Sequence, residues 1–94
     1  MATKVIFRKE KNGEVLAVFP EFPGDNNPYR TCACYSHIGQ HGAMALDYIK
    51  STSELKYRMD YQDLYDELVS VGYDLEVVTR ISRKMLQTRI ANTA

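Results

Sequence analysis

The dipeptide Asn12-Gly13, which separates two runs of β-branched and aromatic residues, places the strongest constraint on how this chain folds. Both central residues of a type I′ turn need positive φ angles, and asparagine and glycine adopt these angles with the least strain. The dipeptide therefore predicts a hairpin with a two-residue loop, in which Phe7 faces Val18 across the two strands. Because the register of a hairpin fixes which side chains share a face, this prediction also assigns the apolar residues to faces.

In the predicted register, one face of the hairpin is apolar and the other is mixed. The apolar face consists of Val5, Phe7, Leu16 and Val18. The mixed face consists of Ile6, Val15, Ala17 and Phe19, among Arg8 and Glu10. Alternate side chains of a strand point to opposite faces of a sheet, so we expect the apolar face to form the core. We expect the mixed face to be covered by the C-terminal segment or by another subunit.

The rest of the chain predicts further strands and two helices. All three prolines fall in residues 20–30, which indicates a loop there. Gly39 and Gly42 are expected to break the strand that follows. Asp60 can serve as an N-cap, and the apolar residues after it repeat at helical spacing until Gly72. The predicted elements after the hairpin are a strand over 31–36, an irregular or weakly helical segment over 43–59, a helix over 60–71, a strand over 73–80 and a short helix over 82–92.

These elements fit a single α+β domain over residues 1–94. A chain of this length buries enough apolar surface to fold without a metal or a disulfide. We expect a mainly antiparallel, three- or four-stranded sheet with one amphipathic helix packed on it and a short C-terminal helix. The expected order of elements is β-β-β-α-β-α.

Charge is unevenly distributed along the chain, although the formal net charge is zero. Residues 54–78 contain seven acidic residues and two cations, whereas residues 79–94 contain four cations and no acid. The neutral total argues against a dedicated nucleic-acid-binding protein, because such domains are usually strongly basic. One alternative is nonetheless a nucleic-acid-binding regulator that uses the C-terminal cations Arg80, Arg83, Lys84 and Arg89. Another is that the acidic helix imitates a nucleic-acid backbone.

Both cysteines and both histidines of the chain fall within ten positions, at Cys32, Cys34, His37 and His41. Zinc accepts these residue types, but structural zinc sites usually combine two separated pairs of ligands. The spacing is more typical of a strand that leads into a glycine-containing turn, so we expect buried, reduced cysteines, no metal and no cofactor. A small zinc-stabilised module with these four ligands remains an alternative. No flanking motif supports a nucleophilic pair of Cys34 with either histidine, so we expect no enzymatic activity.

The cellular location follows from the absence of export features in the sequence. No apolar run approaches the roughly 18 residues that a membrane span requires, and the first residues lack the apolar core of a secretory signal. Cys32 and Cys34 are separated by a single residue, so a disulfide between them would distort a strand. Reduced thiols are therefore expected, which agrees with a reducing compartment. We therefore expect a protein of the host-cell cytoplasm without a membrane partner.

Several short motifs extend over most of the chain, and Ser36-His-Ile-Gly-Gln-His41 is the most specific of them. The others are Val5–Lys9, Asn12–Glu14, Ala17–Glu21, Asn27–Tyr29, Glu67-Leu68 and Gly72–Val77 with Arg80. Together they resemble a group of small, functionally unassigned proteins encoded by anaerobic gut bacteria and by their phages or plasmids. The helix start at Met59-Asp60-Tyr61 departs from the Pro-Glu-Glu-type start of that group. The resemblance implies a mobile genetic element as the source and supplies neither an activity nor site residues.

The chain has seven tyrosines and no tryptophan, which is more tyrosine than so small a core needs. Tyrosine combines apolar area with a polar tip and is enriched at protein interfaces. With the mixed face of the hairpin, this favours a protein-binding or self-associating module. We therefore expect a non-enzymatic accessory or regulatory protein of a mobile element. It would act as a homodimer through contacts with a protein partner of unknown identity.

Overall fold

The computed structural model describes residues 2–36, 40–55 and 57–93, which form a mixed β-sheet and three α-helices. The strands are β1 (Thr3–Lys9), β2 (Val15–Phe19), β3 (Thr31–Ser36), β4 (Gln40–Ala45), β5 (Ser53–Glu54) and β6 (Leu75–Val77). The helices are α1 (Leu46–Ser51), α2 (Gln62–Val71) and α3 (Arg83–Ala91), and a 3-10 turn at Arg58–Asp60 precedes α2. The α+β class is therefore confirmed.

The sheet has the strand order β4-β3-β2-β1-β5, and the short strand β6 also pairs with β1. The β1–β6 pair is parallel, whereas the other pairs are antiparallel. The prediction of three or four strands lacked β4, because Gly42 and Gly39, which is outside the described residues, suggested the end of a strand. It also lacked β5, which falls in the segment over 43–59 that was predicted to be irregular or weakly helical, and α1 lies in the same segment. Gly42 instead lies within β4, opposite Cys34 in the β3–β4 ladder.

The first hairpin turns at Asn12-Gly13 as predicted, but its register is one residue away from the predicted one. Phe7 faces Ala17, one position before the predicted partner. The loop has three residues rather than two, since the backbone N–H of Glu10 donates to the carbonyl of Glu14 at 2.9 Å. The glycine occupies the left-handed region, with a φ of 91°. Asparagine and glycine suit this longer loop as well as the shorter one, so the dipeptide alone did not determine the register.

The observed register makes both faces of the sheet apolar, because a slip of one residue moves every side chain of β2 to the opposite face. On the first face, α2 and the sheet bury Val5, Phe7, Ala17, Phe19, Tyr35, Tyr61, Leu64 and Leu68. On the second face, the buried residues are Ile6, Leu16, Val18, Cys32, Cys34 and Ile49. Val78 and Ile81 pack on this second cluster. The C-terminal segment thus covers the second face, which was one of the two predicted covers.

Helix α2 packs on the first face through two buried leucines and an aromatic stack, in which the rings of Tyr61 and Phe7 are 4.2 Å apart. The helix begins at Gln62, two residues later than predicted, because Asp60 belongs to the preceding 3-10 turn. It ends at Gly72, whose φ of 119° gives the left-handed C-cap that the sequence predicted.

Helix α3 begins as predicted, with the Oγ of Ser82 accepting a hydrogen bond from the backbone N–H of Met85 at 3.3 Å. The predicted strand over 73–80 is shorter in the structure, where only Leu75–Val77 pair with β1. In the described parts of the chain, every helix is too short or too polar to cross a bilayer.

Candidate interaction groove

The two cysteines of the predicted metal cluster lie inside the fold. Cys32 and Cys34 are 0% and 6% exposed, carry free thiols and belong to the second cluster. Burial raises the pKa of both thiols, and the nearby Arg89 guanidinium opposes this shift at Cys32 only in part. Burial therefore favours the protonated form of both thiols, which is the less nucleophilic form.

The side chains of the two histidines in the same cluster lie outside what the structure describes. His37 lies outside the described residues, and for His41 the structure describes the backbone, which pairs with Tyr35 in the β3–β4 ladder. Within residues 2–36, 40–55 and 57–93, no group of three or more His, Cys, Asp or Glu residues is arranged to hold a metal ion. The four-ligand hypothesis stays a prediction.

The four C-terminal cations fall into two groups. Arg80, Arg83 and Lys84 are exposed around the start of α3, whereas Arg89 near its end is only 2% exposed. A buried guanidinium is not available to a phosphate group in this fold, which corrects the place of Arg89 in the predicted nucleic-acid surface. Three of the four predicted cations are therefore exposed.

Arg89 instead anchors the proline-containing loop of residues 20–30 by hydrogen bonds to its backbone. Its Nε donates to the carbonyl of Pro28 at 2.6 Å, and its Nη1 donates to the carbonyl of Pro20 at 2.8 Å. The same Nη1 lies 3.1 Å from the Sγ of Cys32. One side chain therefore satisfies carbonyls near both ends of the loop and holds the loop against β3.

A sequence signal for this role existed in the spacing of α3. Arg89 lies four residues after Met85, so the two side chains share one face of the helix. Met85 is buried in the structure, and Ile81 packs on the second cluster. The positive charge of Arg89 suggested a solvent-exposed side chain, so its place on the buried face of α3 was not predicted.

A groove opens beside the fastened loop on the α2 side of the sheet. Its volume is about 380 Å³, and its lining residues are Thr3, Phe19, Phe22, Pro23, Ala33, Tyr73 and Asn92. At one wall, the rings of Phe19 and Tyr73 stack with their centres 5.2 Å apart. At the other, the Nδ2 of Asn92 donates to the carbonyl of Glu21 at 2.8 Å, which ties α3 to the loop.

Phe22 is the most exposed aromatic side chain of the groove, with 41% of its surface accessible. Its backbone is held firmly, because its N–H donates to Phe19 at 3.2 Å and its carbonyl accepts from Ala33 at 2.9 Å. A rigid backbone that presents an exposed aromatic ring loses little conformational entropy when a partner covers the ring. The groove thus has the properties of a binding site for an apolar side chain.

The tyrosines divide between the core and the surface. Tyr35 and Tyr61 are buried in the first cluster, where Tyr65 and Tyr73 pack against it. The exposed tyrosines are Tyr29 at 65%, Tyr48 at 43% and Tyr57 at 68%. More of the tyrosine content serves the core than the sequence suggested, and the exposed remainder is spread over separate elements.

Comparison of the chain with protein-family models, with curated proteins and with solved structures gives no match. Any functional proposal therefore depends on the sequence motifs and on the geometry described above.

Proposed function

We propose that this chain is a non-enzymatic accessory or regulatory protein of a mobile genetic element that binds a partner protein at the groove. The observation that carries the proposal is the exposed Phe22 ring on a fixed backbone, beside a stacked aromatic pair. Binding energy at protein interfaces is concentrated in a few aromatic side chains that become fully desolvated in a pocket. The mobile-element source is supported by the resemblance of the motifs.

The lining of the groove favours a partner segment that is extended and rich in proline or aliphatic residues. Aromatic and proline side chains form most of the described surface, and its polar members are Thr3, Asn92 and the hydroxyl of Tyr73. Aromatic-lined grooves recognise proline-containing segments because these segments are already extended before they bind. No charged residue is among the described lining residues, so recognition would depend little on salt.

The experiment uses short peptides selected from a random display library on the immobilised full chain. We expect the selected peptides to be apolar or proline-rich and to bind the Phe22→Ser variant about tenfold more weakly, because the variant loses one aromatic contact. Tyr29→Ser is the matched control, since Tyr29 is an exposed aromatic residue of the same loop outside the groove. Equal affinity for the wild-type chain and the Phe22→Ser variant, with unchanged thermal stability, would overturn the proposal.

A nucleic-acid-binding regulator remains the second candidate, favoured by the exposure of Arg80, Arg83 and Lys84 around one helix start. Each cation that contacts a phosphate steepens the decrease of affinity with salt. If this candidate is correct, a fluorescent oligonucleotide will bind at low salt and the triple glutamine variant will lose that binding. A zinc-stabilised module ranks third, because the spacing of its four candidate ligands differs from the two separated pairs that structural zinc sites usually combine.

A further inference from the structure

Strand β4 forms one edge of the sheet. Its inner side pairs with β3 along the whole strand, from Ser36 opposite Gln40 to Thr31 opposite Ala45. Among the described residues, neither another strand nor a backbone hydrogen bond from a loop occupies its outer side.

The direction of the backbone groups in β4 follows from two hydrogen bonds. Alternate residues of an antiparallel strand turn both their N–H and C=O groups to the same neighbour. Leu46, directly after β4, donates to the carbonyl of Arg30 at 2.8 Å, on the β3 side. Ala33, which is opposite Ala43, donates away from β4 to the carbonyl of Phe22 at 2.9 Å. The odd-numbered residues of β4 therefore direct their backbone groups away from the sheet.

This edge lacks the features that usually prevent strand pairing. Natural proteins protect an edge with charged side chains, prolines, bulges or a very short strand. β4 contains no Asp, Glu, Lys, Arg or Pro, and its six residues follow one another without a bulge. Gly42, Ala43 and Ala45 are exposed and small, so they leave the edge open to another strand.

We infer that the outer edge of β4 is a dimerisation surface, and that its occupant is the β4 strand of a second copy of this chain. An antiparallel pair about a two-fold axis at Ala43 places Ala43 opposite the same residue of the second copy. It places His41 opposite Ala45, twice. All three outward-facing residues then form hydrogen-bonded pairs, each of which exchanges two bonds. The two sheets become one continuous sheet.

The composition of β4 favours a second copy over a segment of another protein. A two-fold axis brings each side chain near the axis close to its own copy, so a charge at the centre of the strand would meet its like. The central residues Gly42, Ala43 and Met44 carry no charge. The zero formal net charge of the chain also removes long-range repulsion between two copies.

Ala45→Pro is the variant that tests the inference with the least risk to the fold. Ala45 has a φ of −66°, which matches the value that the proline ring imposes, and its outward N–H has no partner among the described residues. Proline removes this donor twice per dimer and places its ring against the second copy. We expect the dissociation constant of the dimer to increase about a hundredfold. Ala45→Ser, which keeps the N–H, is the matched control.

Sedimentation equilibrium over a concentration series measures the association. The wild-type chain and the Ala45→Ser variant are expected to reach twice the 10.8 kDa mass of one chain, and Ala45→Pro is expected to stay a monomer with an unchanged circular dichroism spectrum. A monomeric wild-type chain, or an Ala45→Pro variant that dimerises as well as Ala45→Ser, would overturn the inference.

Cross-linking supplies a second measurement if the proline variant does not fold. Across the two-fold axis, the Cα atoms at position 43 would be about 5.5 Å apart, within the range for a disulfide. Ala43→Cys should therefore oxidise to a linked dimer at least about tenfold faster than Ala45→Cys, which faces His41. Equal rates would contradict the register.

The groove and the β4 edge are formed by different residues, so their tests fail separately. If the chain is a monomer and still binds the selected peptides through Phe22, only the inference of a dimer is contradicted. If the chain is a dimer and its peptide binding does not depend on Phe22, only the proposed function is contradicted.

Discussion

The two edges of the sheet differ in length, charge and protection. At one edge, β1 is covered by β5 with two residues and by β6 with three, and each of these strands carries a glutamate. At the other edge, β4 has six residues and no Asp, Glu, Lys or Arg. Short, charged strands are a common protection against unwanted pairing. The difference indicates that the β5–β6 edge is protected against strand pairing and that the β4 edge is open to it.

The proline-containing loop packs against strand β4 at the open edge. Gly24 of the proline-containing loop lies against β4 so closely that an added Cβ would be 2.6 Å from the Cβ of Ala43. The loop in turn is fastened by Arg89 through the carbonyls of Pro20 and Pro28. A buried arginine near the C-terminus thus holds in place the loop that packs against β4.

Arg89→Ala should have the largest effect on this support, because it leaves the buried carbonyls of Pro20 and Pro28 without a donor. We expect the free energy of unfolding to decrease by about 3 kcal/mol. Arg83→Ala, at the exposed start of the same helix, should change it by less than about 0.5 kcal/mol. Urea denaturation followed by circular dichroism measures both variants. Similar losses in the two would show that Arg89 is not the fastening residue.

Gly24→Ala should have the next largest effect. Its new methyl group would lie within 2.8 Å of backbone atoms of Cys32 and Ala43, so the loop and β4 must separate. We expect a loss of about 2 kcal/mol in unfolding free energy, together with weaker dimerisation. Gly42→Ala is the control, since its methyl group would be 3.7 Å from the Sγ of Cys34, an ordinary contact distance. A Gly24→Ala variant as stable as Gly42→Ala would contradict the close packing.

The two buried cysteines of β3 should make the free energy of unfolding depend on pH in the alkaline range. Burial raises the pKa of Cys32 and Cys34 from the ordinary value of 9.0. The unfolded chain therefore loses these protons at a lower pH than the folded chain does. Their contribution is complete below about pH 9 and is lost as the pH rises through the folded-state pKa. Cys34→Ala should show a smaller decrease in unfolding free energy between pH 8 and pH 10, and an unchanged decrease would contradict the burial.

The smallest effect is expected at the closed edge. Replacing Glu54 and Glu76 together with valine removes the charge of β5 and β6 and makes this edge resemble β4. We expect weak association beyond the dimer at high protein concentration, measured by light scattering, because the second edge can then pair. A double variant that never exceeds the dimer would show that strand length alone protects this edge.

The sequence predicted those parts of the fold whose signals are local. The turn at Asn12-Gly13, the C-cap at Gly72 and the N-cap at Ser82 depend on residues close in sequence, and all three were correct. The register of the hairpin was wrong because the same two residues suit loops of two lengths. The pairing of β4 with β3 also escaped prediction, since Gly42 was interpreted as a strand break.

The candidate site was less accessible to prediction, because it depends on contacts between distant segments. The groove joins β1, the proline-containing loop and the end of α3, which no local pattern connects. The residue types in the cluster of cysteines and histidines suggested a metal site, yet both cysteine side chains are part of the buried core. For Arg89 the residue type was misleading in the opposite way. Its charge suggested a position on the surface, whereas its distance of four residues from Met85 places it on the buried face of α3.

Amide hydrogen exchange in β4, resolved by residue with NMR, tests the central claim most directly. Gly42 and Met44 face β3, so their amides should be protected at every protein concentration. The amides of Ala43 and Ala45 face outward and should become protected only as the chain dimerises. Rapid exchange at Ala43 and Ala45 under conditions where the chain is a dimer would show that another surface joins the two copies.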